Sequence, residues 1–323
     1  AAEDLMREAI EMEPQQLIFR SNLLFLMSAV TGGDRYLEEA RAFGAIVSAL
    51  APQKIVHWSV EASPCPLKIG LVGGDFRNHP VGFFIEGLAQ SLDSSRIELF
   101  AFPTNLLHDD LTARLVALFK GWHPIYGLPD QVASQLIHSL GIHVLIDLAG
   151  HTDHNRLGVF GYKPAPIQAS WLGYWASTGV VEMDYLIGDV HVTPSSDDAC
   201  FTERLYRLPE TRYCYTAPDC EVDVNTLPAL TNGFITFGSF NKLHKMTEEV
   251  VSVWSEILRK VPNSRLLLKA SPLCDPAMRE RVSQRFLAQG IESNRLCLES
   301  ASSRSQYFAA YRRVDIGLDP FPF

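Results

Sequence analysis

From about Lys68 onward, short uninterrupted apolar runs alternate with longer segments whose apolar residues recur at helical spacing. Residues 69–72, 98–102, 143–148, 167–172 and 185–187 read as strands, with helices predicted at 81–92, 110–119 and 131–140. Continuous apolar runs of this length suit strands buried on both faces, so the alternation predicts βαβ units and a mostly parallel sheet. The pattern breaks over 205–231, where Pro209, Pro218 and Pro228 stand among polar residues, and this stretch reads as an irregular crossing between domains. A second α/β unit follows. Strands are predicted at 234–238, 265–269, 295–298 and 314–318, with helices at 248–260, 277–289 and 303–311. Thr247 suits the N-cap of the first of these helices, whose inner face is Val250, Val251, Trp254 and Leu258.

Ahead of all this, residues 1–50 carry helical periodicity broken at Thr31-Gly-Gly33, and the prolines of 51–66 form a linker. Ala9-Ile-Glu-Met-Glu-Pro14 resembles the end of a tetratricopeptide (TPR) repeat. The expected organisation is a helical TPR-like leader and linker (1–63), a Rossmann-like lobe (64–228) and the first part of a second lobe (229–323).

The most informative stretch runs from Lys68 to Leu88 and reads as strand, glycine turn and helix start. Gly73-Gly74 ends the strand, and Pro80 suits the first helical position. His79 is thereby expected beside a helix N-terminus at the C-terminal edge of a parallel strand, where open α/β sheets bind ligands. The positive end of the helix dipole disfavours imidazolium there, so a neutral imidazole able to accept a proton is expected. The loops after 143–148 and 167–172 feed the same edge. His151 reads as a solvated loop histidine and His138 as a helix-capping or partly buried one.

Composition narrows the class. At 323 residues, 47% hydrophobic and 20% charged, the chain has ordinary globular composition and room for two domains. A net charge of -9 argues against non-specific nucleic-acid binding. The six cysteines are scattered without metal-ligand spacing, which suits free thiols in a reducing compartment. Neither a signal segment nor a run of membrane-spanning length is present, so a cytoplasmic location without a membrane partner is expected.

There is no G-x-x-x-x-G-K-[ST] loop and no G-x-G-x-x-G fingerprint, which weakens kinase and dehydrogenase readings. Asn241-Lys-Leu-His-Lys245, between a strand and a helix start, is instead suited to an anionic diphosphate: Lys245 supplies a point charge and the helix supplies free N–H groups. A loop lysine is more often simply solvated.

Taken together, Asp75-Phe-Arg-Asn-His-Pro80, Pro164-Ala-Pro-Ile-Gln-Ala-Ser-Trp-Leu-Gly-Tyr174, Met183-Asp-Tyr185, Phe240-Asn-Lys-Leu-His-Lys245 and Val261-Pro-Asn-Ser264 resemble the catalytic region of the O-GlcNAc transferases in a bacterial form. The resemblance covers nearly everything from Lys68 onward. It implies a GT-B fold of two Rossmann-like lobes with a nucleotide sugar between them. It also implies inverting, metal-independent transfer of N-acetylglucosamine from UDP-GlcNAc to Ser or Thr of a protein acceptor, without a cofactor. His79 matches the family's proposed general base, and Lys245 matches the lysine that contacts the diphosphate and stabilises the leaving UDP. Leu172 and Gly173 match residues lining the sugar site. Lys242 lies in the donor loop, and Arg304 and Tyr307 match positions around the uracil.

Three departures bear on specificity: Lys242 stands where animal members have glutamine, His244 where they have tyrosine, and Trp175 where a proline follows Leu-Gly-Tyr. The family continues with a glycine- and threonine-rich turn holding the diphosphate, so the second lobe is expected to be truncated at Phe323. Two alternatives stay open. One is a related transferase, from UDP-glucose to Asn or from GDP-fucose to Ser or Thr; the other is a non-catalytic protein that binds peptide or nucleotide.

Overall fold

The computed structural model describes residues 2–30, 33–61, 63–217 and 222–321. Its contacts divide the chain into two compact units, Ala1–Ala217 and Pro218–Phe323.

The first unit opens with helices α1 (Ala2–Met12), α2 (Leu17–Val30) and α3 (Gly33–Leu50). The α/β pattern then runs β1 (Leu67–Gly73), α4 (Pro80–Ser91), β2 (Ile97–Pro103), α5 (Asp110–Leu118), β3 (Gly121–Trp122), α6 (Asp130–Ser139), β4 (Val144–Asp147), α7 (Leu157–Gly161), β5 (Ile167–Trp171), β6 (Tyr185–Asp189) and β7 (Arg204–Leu208). The seven strands form one sheet in the order β3-β2-β1-β4-β5-β6-β7, with every neighbouring pair parallel. The order reverses between β1 and β4, which opens a crevice beyond their C-terminal ends.

Alternate residues of the central strands feed two separate cores, as a period of two requires. Leu71, Leu99, Ala101 and Ile146 meet Val81 and Ile85 of α4 and Leu111 and Leu115 of α5. Val72, Phe100, Phe102 and Leu145 point the other way. They join a core that contains Ala133 and Ile137 of α6, Leu157 and Phe160 of α7, and Leu23, Leu24, Met27, Tyr36, Phe43 and Val47 of the leader helices. The leader therefore covers one face of the sheet within this unit.

The second unit contains α8 (Ala229–Asn232), β8 (Thr236–Ser239), α9 (Glu248–Lys260), β9 (Arg265–Lys269), α10 (Pro276–Leu287), β10 (Leu296–Glu299), α11 (Arg304–Tyr311) and β11 (Ile316–Gly317). Its strands are parallel in the order β10-β9-β8-β11, with a switch point between β8 and β11. Trp254, Val250, Val251 and Leu258 of α9 pack with Phe286 of α10 and with Leu266 and Leu268 of β9. Thr247 caps α9 by accepting from the Val250 N–H at 3.2 Å.

Three elements of the first unit depart from the expected pattern, as does the four-residue α8 of the second. Residues 204–208, whose greater part was expected to be irregular, form the edge strand β7, paired with β6 from Tyr185↔Arg204 to Asp189↔Leu208. An edge strand tolerates charged and open positions, here Arg204 and the 58% exposed Tyr206, and so lacks the buried-strand signature. The two-residue β3 and five-residue α7 are too short to carry a period. At the other end Phe321 packs against the second unit's core, and Phe323 lies outside the described residues, as do Thr31, Gly32, Pro218 and Cys220.

Candidate functional site

In the first unit the switch point gathers the turns after β1, β4 and β5. His79 is the N-cap of α4, with extended backbone (φ -146°, ψ 151°) and Pro80 at the first helical position. Its Nδ1 lies 3.4 Å from the Val81 N–H nitrogen and 3.4 Å from Asp75 Oδ2. Asp75 also pairs with Arg77 at 3.2 Å.

Leu172 and Gly173 sit at the same edge. Leu172 is buried and takes φ +77°, and Gly173 N–H donates back to the Trp171 carbonyl at 3.0 Å. That closes a three-residue turn of the strained, positive-φ kind, which persists only where surrounding structure holds it. The backbone runs so close to the β4 turn that a Cβ on Gly173 would lie 2.0 Å from the Leu148 carbonyl oxygen and 3.5 Å from Val81 of α4. Only glycine fits that approach. The structure thus brings Leu172 and Gly173 against the first turn of the helix that His79 caps.

The β4 turn has its own anchor. Asp147, fully buried at the end of β4, accepts from the Ala149 N–H (3.1 Å), the Gly150 N–H (2.7 Å) and the Ser170 hydroxyl (3.0 Å). Burial pushes its carboxyl up to about 6, against the pull of those donors.

His151 corrects the expectation of a solvated loop residue: it is 1% exposed and its ring meets Phe43 and Tyr174 edge-on. Its Nε2 lies 3.0 Å from the Thr178 carbonyl oxygen, which only accepts, so Nε2 carries the proton. Nδ1 is then bare and accepts from the Ser21 hydroxyl at 2.9 Å, while Asn155 donates to the Ser21 oxygen at 3.0 Å. Burial holds this imidazole neutral, down to about 3. His138 is partly buried in the last turn of α6 and lies outside this cluster.

In the second unit, the turn after β8 carries Lys242 and Lys245. Lys245 ends the 3-10 turn Leu243–Lys245, just before the capped N-terminus of α9. Partial burial and the neighbouring Lys242 charge lower its affinity for a proton, and burial followed by both lysines does the same to His244. Such a loop gains from an anion that would neutralise it. Asn241 donates to Asp319 at 2.8 Å, tying this turn to the residues after β11 at the second switch point.

Tyr307 and Arg304 lie on α11, and the structure brings Tyr307 to the same turn: its ring is edge-on to Phe240 at 5.4 Å, and Phe240 stacks on Tyr311 at 3.9 Å. Arg304 lies over the Phe308 ring at 5.7 Å. A capping box between Ser303 and Gln306 starts α11, and the bidentate Arg313–Glu299 pair (2.6 and 2.7 Å) secures the chain after it. Arg313, and then the Lys269 charge, hold Glu299 down to about 2.

Asp75, Asn241 and Asp319 were given no role from the sequence. Asp75 and Asn241 stand inside the motifs that pointed to the site, but their partners come from neighbouring turns. Among the described residues, no group of three or more His, Cys, Asp or Glu could hold a metal ion. No described helix is long and apolar enough to cross a membrane.

Comparison with known proteins agrees with this arrangement. Residues 49–217 and 221–322 match Glycosyl transferase family 41. The chain is 34% identical over 320 residues to an Arabidopsis thaliana protein named "Probable UDP-N-acetylglucosamine--peptide N-acetylglucosaminyltransferase SPINDLY", covering 97% of this chain and 35% of that one. A second Arabidopsis thaliana relative, named for the same activity and called SEC, is 28% identical over 78% of this chain and 26% of its own length. The chain therefore spans about a third of the length of the curated relatives it matches most fully. Among solved structures, a mutant of Thermobaculum terrenum O-GlcNAc transferase is 31% identical with a TM-score of 0.91, over 99% of this chain and 61% of that one. The apo lipopolysaccharide outer core galactosyltransferase WaaB shares the fold alone, at 13% identity and a TM-score of 0.52 over 79% of this chain and 76% of that one. Two parallel α/β units, each with a switch point in its strand order, are the GT-B architecture, and the chain belongs to glycosyl transferase family 41.

Proposed function

We propose that this chain carries the donor-binding and acceptor-activating groups of an inverting protein glycosyltransferase that moves N-acetylglucosamine from UDP-GlcNAc to a Ser or Thr hydroxyl. The observation that carries the reading is the Lys242–Lys245 turn, a crowded pair of cations between the end of β8 and the N-terminus of α9, tied to Asp319 at the switch point. A diphosphate relieves that crowding, and the nearby Tyr307–Phe240 pair offers an aromatic face to a base.

In this reading, the acceptor oxygen attacks the anomeric carbon of GlcNAc from the side opposite UDP. The oxygen's proton passes to His79, and the bond from the anomeric carbon to the diphosphate oxygen breaks. One such displacement inverts the anomeric centre. Lys245 balances the charge that develops on UDP, with Lys242 and Arg304 in support, so the step needs no metal ion and no cofactor. Leu172 and Gly173 hold the sugar; the acceptor is a protein or peptide.

Incubating the protein with UDP-GlcNAc, UDP-glucose and GDP-fucose, each with an acceptor peptide mixture, tests the reading. Transfer from UDP-GlcNAc, lost in His79→Ala and Lys245→Ala, is the expected result. Transfer from another donor would replace the sugar in this reading; undiminished activity in both variants would remove the assigned residues.

A further inference from the structure

The loop from Leu172 to Val180 is held from behind by the leader helices. Tyr36 of α3 donates its hydroxyl proton to the Ser177 carbonyl at 2.7 Å, and its oxygen lies 2.9 Å from the Tyr174 hydroxyl. The Ser177 carbonyl can only accept, so Tyr36 spends its one proton there, and the single Tyr174 proton is shared between the Tyr36 oxygen and the Leu24 carbonyl of α2 at 3.3 Å. Ser21 of α2 reaches the Thr178 carbonyl through His151, at 2.9 and 3.0 Å. The Trp175 ring tilts against Phe25 of α2 at 6.2 Å.

Backbones meet as well. A Cβ on Gly179 would lie 1.9 Å from the Ala40 carbonyl oxygen, and one on Gly44 would lie 1.8 Å from that of Gly179. From the opposite direction, Glu203 accepts from the Ser177 hydroxyl and the Thr178 N–H, each at 2.7 Å, and Arg212 donates to the Tyr174 carbonyl at 3.1 Å. Tyr36, Tyr174, His151, Ser177 and Thr178 are all buried. Buried hydrogen bonds of this kind fix geometry because no water can replace a lost partner.

We infer that Tyr36 and His151 are positioning residues for the donor loop: the leader helices hold the backbone that follows the strained Leu172–Gly173 turn, and so set where that turn presents itself to the sugar. This rests on the reading of Leu172 and Gly173 as donor contacts. On this reading the leader is part of the support of the donor site.

The test uses the full chain and two variants, Tyr36→Phe, which keeps the ring and removes the hydroxyl, and Ser21→Ala, with Ser21→Thr as the conservative rescue. Amide hydrogen exchange is followed in peptides covering 172–180, with the β4 strand as the internal control, alongside UDP-GlcNAc binding by calorimetry. Exchange in 172–180 is expected to quicken about tenfold in Tyr36→Phe and Ser21→Ala while β4 is unchanged. Donor affinity should fall by a similar factor, and Ser21→Thr should restore both. Unchanged exchange in 172–180, a uniform rise that includes β4, or faster loop exchange with unaltered donor affinity would each overturn the inference. Failure of the wild-type chain to bind any nucleotide sugar, with the exchange response intact, would instead overturn the donor reading of the loop and with it the positioning role.

Discussion

Asp75 and the Val81 amide compete for one atom of His79, each 3.4 Å from Nδ1. The carboxylate can only accept and the amide can only donate, so the two contacts demand opposite tautomers. In the cap geometry Nδ1 accepts from the Val81 N–H, a long bond between neutral partners, whereas a bond from Nδ1–H to the Asp75 carboxylate would be charge-assisted and the stronger of the two. With the Asp75 bond made, the proton sits on Nδ1 and the Nε2 lone pair is left for an acceptor hydroxyl, the state a general base requires. We expect nitrogen NMR of the imidazole to show Nδ1–H in the wild type and a shift toward Nε2–H in Asp75→Ala. Transfer by Asp75→Ala should fall on the order of a hundredfold with little change in donor KM. An Nε2–H tautomer in the wild type would sink this assignment.

Lys245→Ala removes one charge from the turn after β8. The loss of a charge-assisted contact is worth about 1.5–3 kcal/mol, so UDP affinity should fall roughly 10–100-fold. Titration calorimetry at two salt concentrations checks this. Wild-type affinity should weaken with salt, and the variant's should depend on salt less.

Gly173→Ala places a methyl group 2.0 Å from a backbone oxygen that cannot move without moving β4. We expect destabilisation of about 1–3 kcal/mol with loss of donor binding. Denaturant unfolding and calorimetry measure the two effects. An alanine variant with wild-type stability would show that the two turns can part.

Acid should act on the two units in different windows. The folded pKa of His151 is depressed from 6.5 to about 3, so its contribution is fully present above 6.5 and is lost as pH falls from there toward 3. The slope is about 1.4 kcal/mol per pH unit for one proton. Glu299 is depressed from 4.5 to about 2, so its contribution is present above 4.5 and is lost only between 4.5 and 2. In the first unit Asp147, raised from 3.8 to about 6, works the other way between 6 and 3.8, so in urea unfolding between pH 7.5 and 3, with Trp254 as the probe of the second unit, the His151 loss should be partly offset there and emerge fully in Asp147→Asn. Replacing His151 by Phe should flatten the upper slope, and Glu299→Gln the lower one.

The elements that position the site were largely legible in the chain. The buried strands announced themselves as continuous apolar runs because both faces of a parallel sheet are covered, and Pro80 and Thr247 marked helix starts by local chemistry alone. The edge strand β7 did not, since an edge need not be apolar. His151 was read as solvated because a histidine in a Gly-His-Thr loop carries no local sign of burial; its partners Ser21 and Thr178 lie 130 and 27 residues away in sequence.

The sequence by itself determined the succession of α/β units, the turns after β1, β5 and β8 as candidate places for chemistry, and the family that its motifs resemble. These depend on period, propensity and short motifs, which act over a few residues. Only the tertiary structure decided which face the leader covers, which atoms compete for His79, and that a tyrosine on α3 supports the loop after β5. Those are contacts between residues far apart in the chain, and their energies come from burial and hydrogen-bond geometry that exist only once the chain has folded.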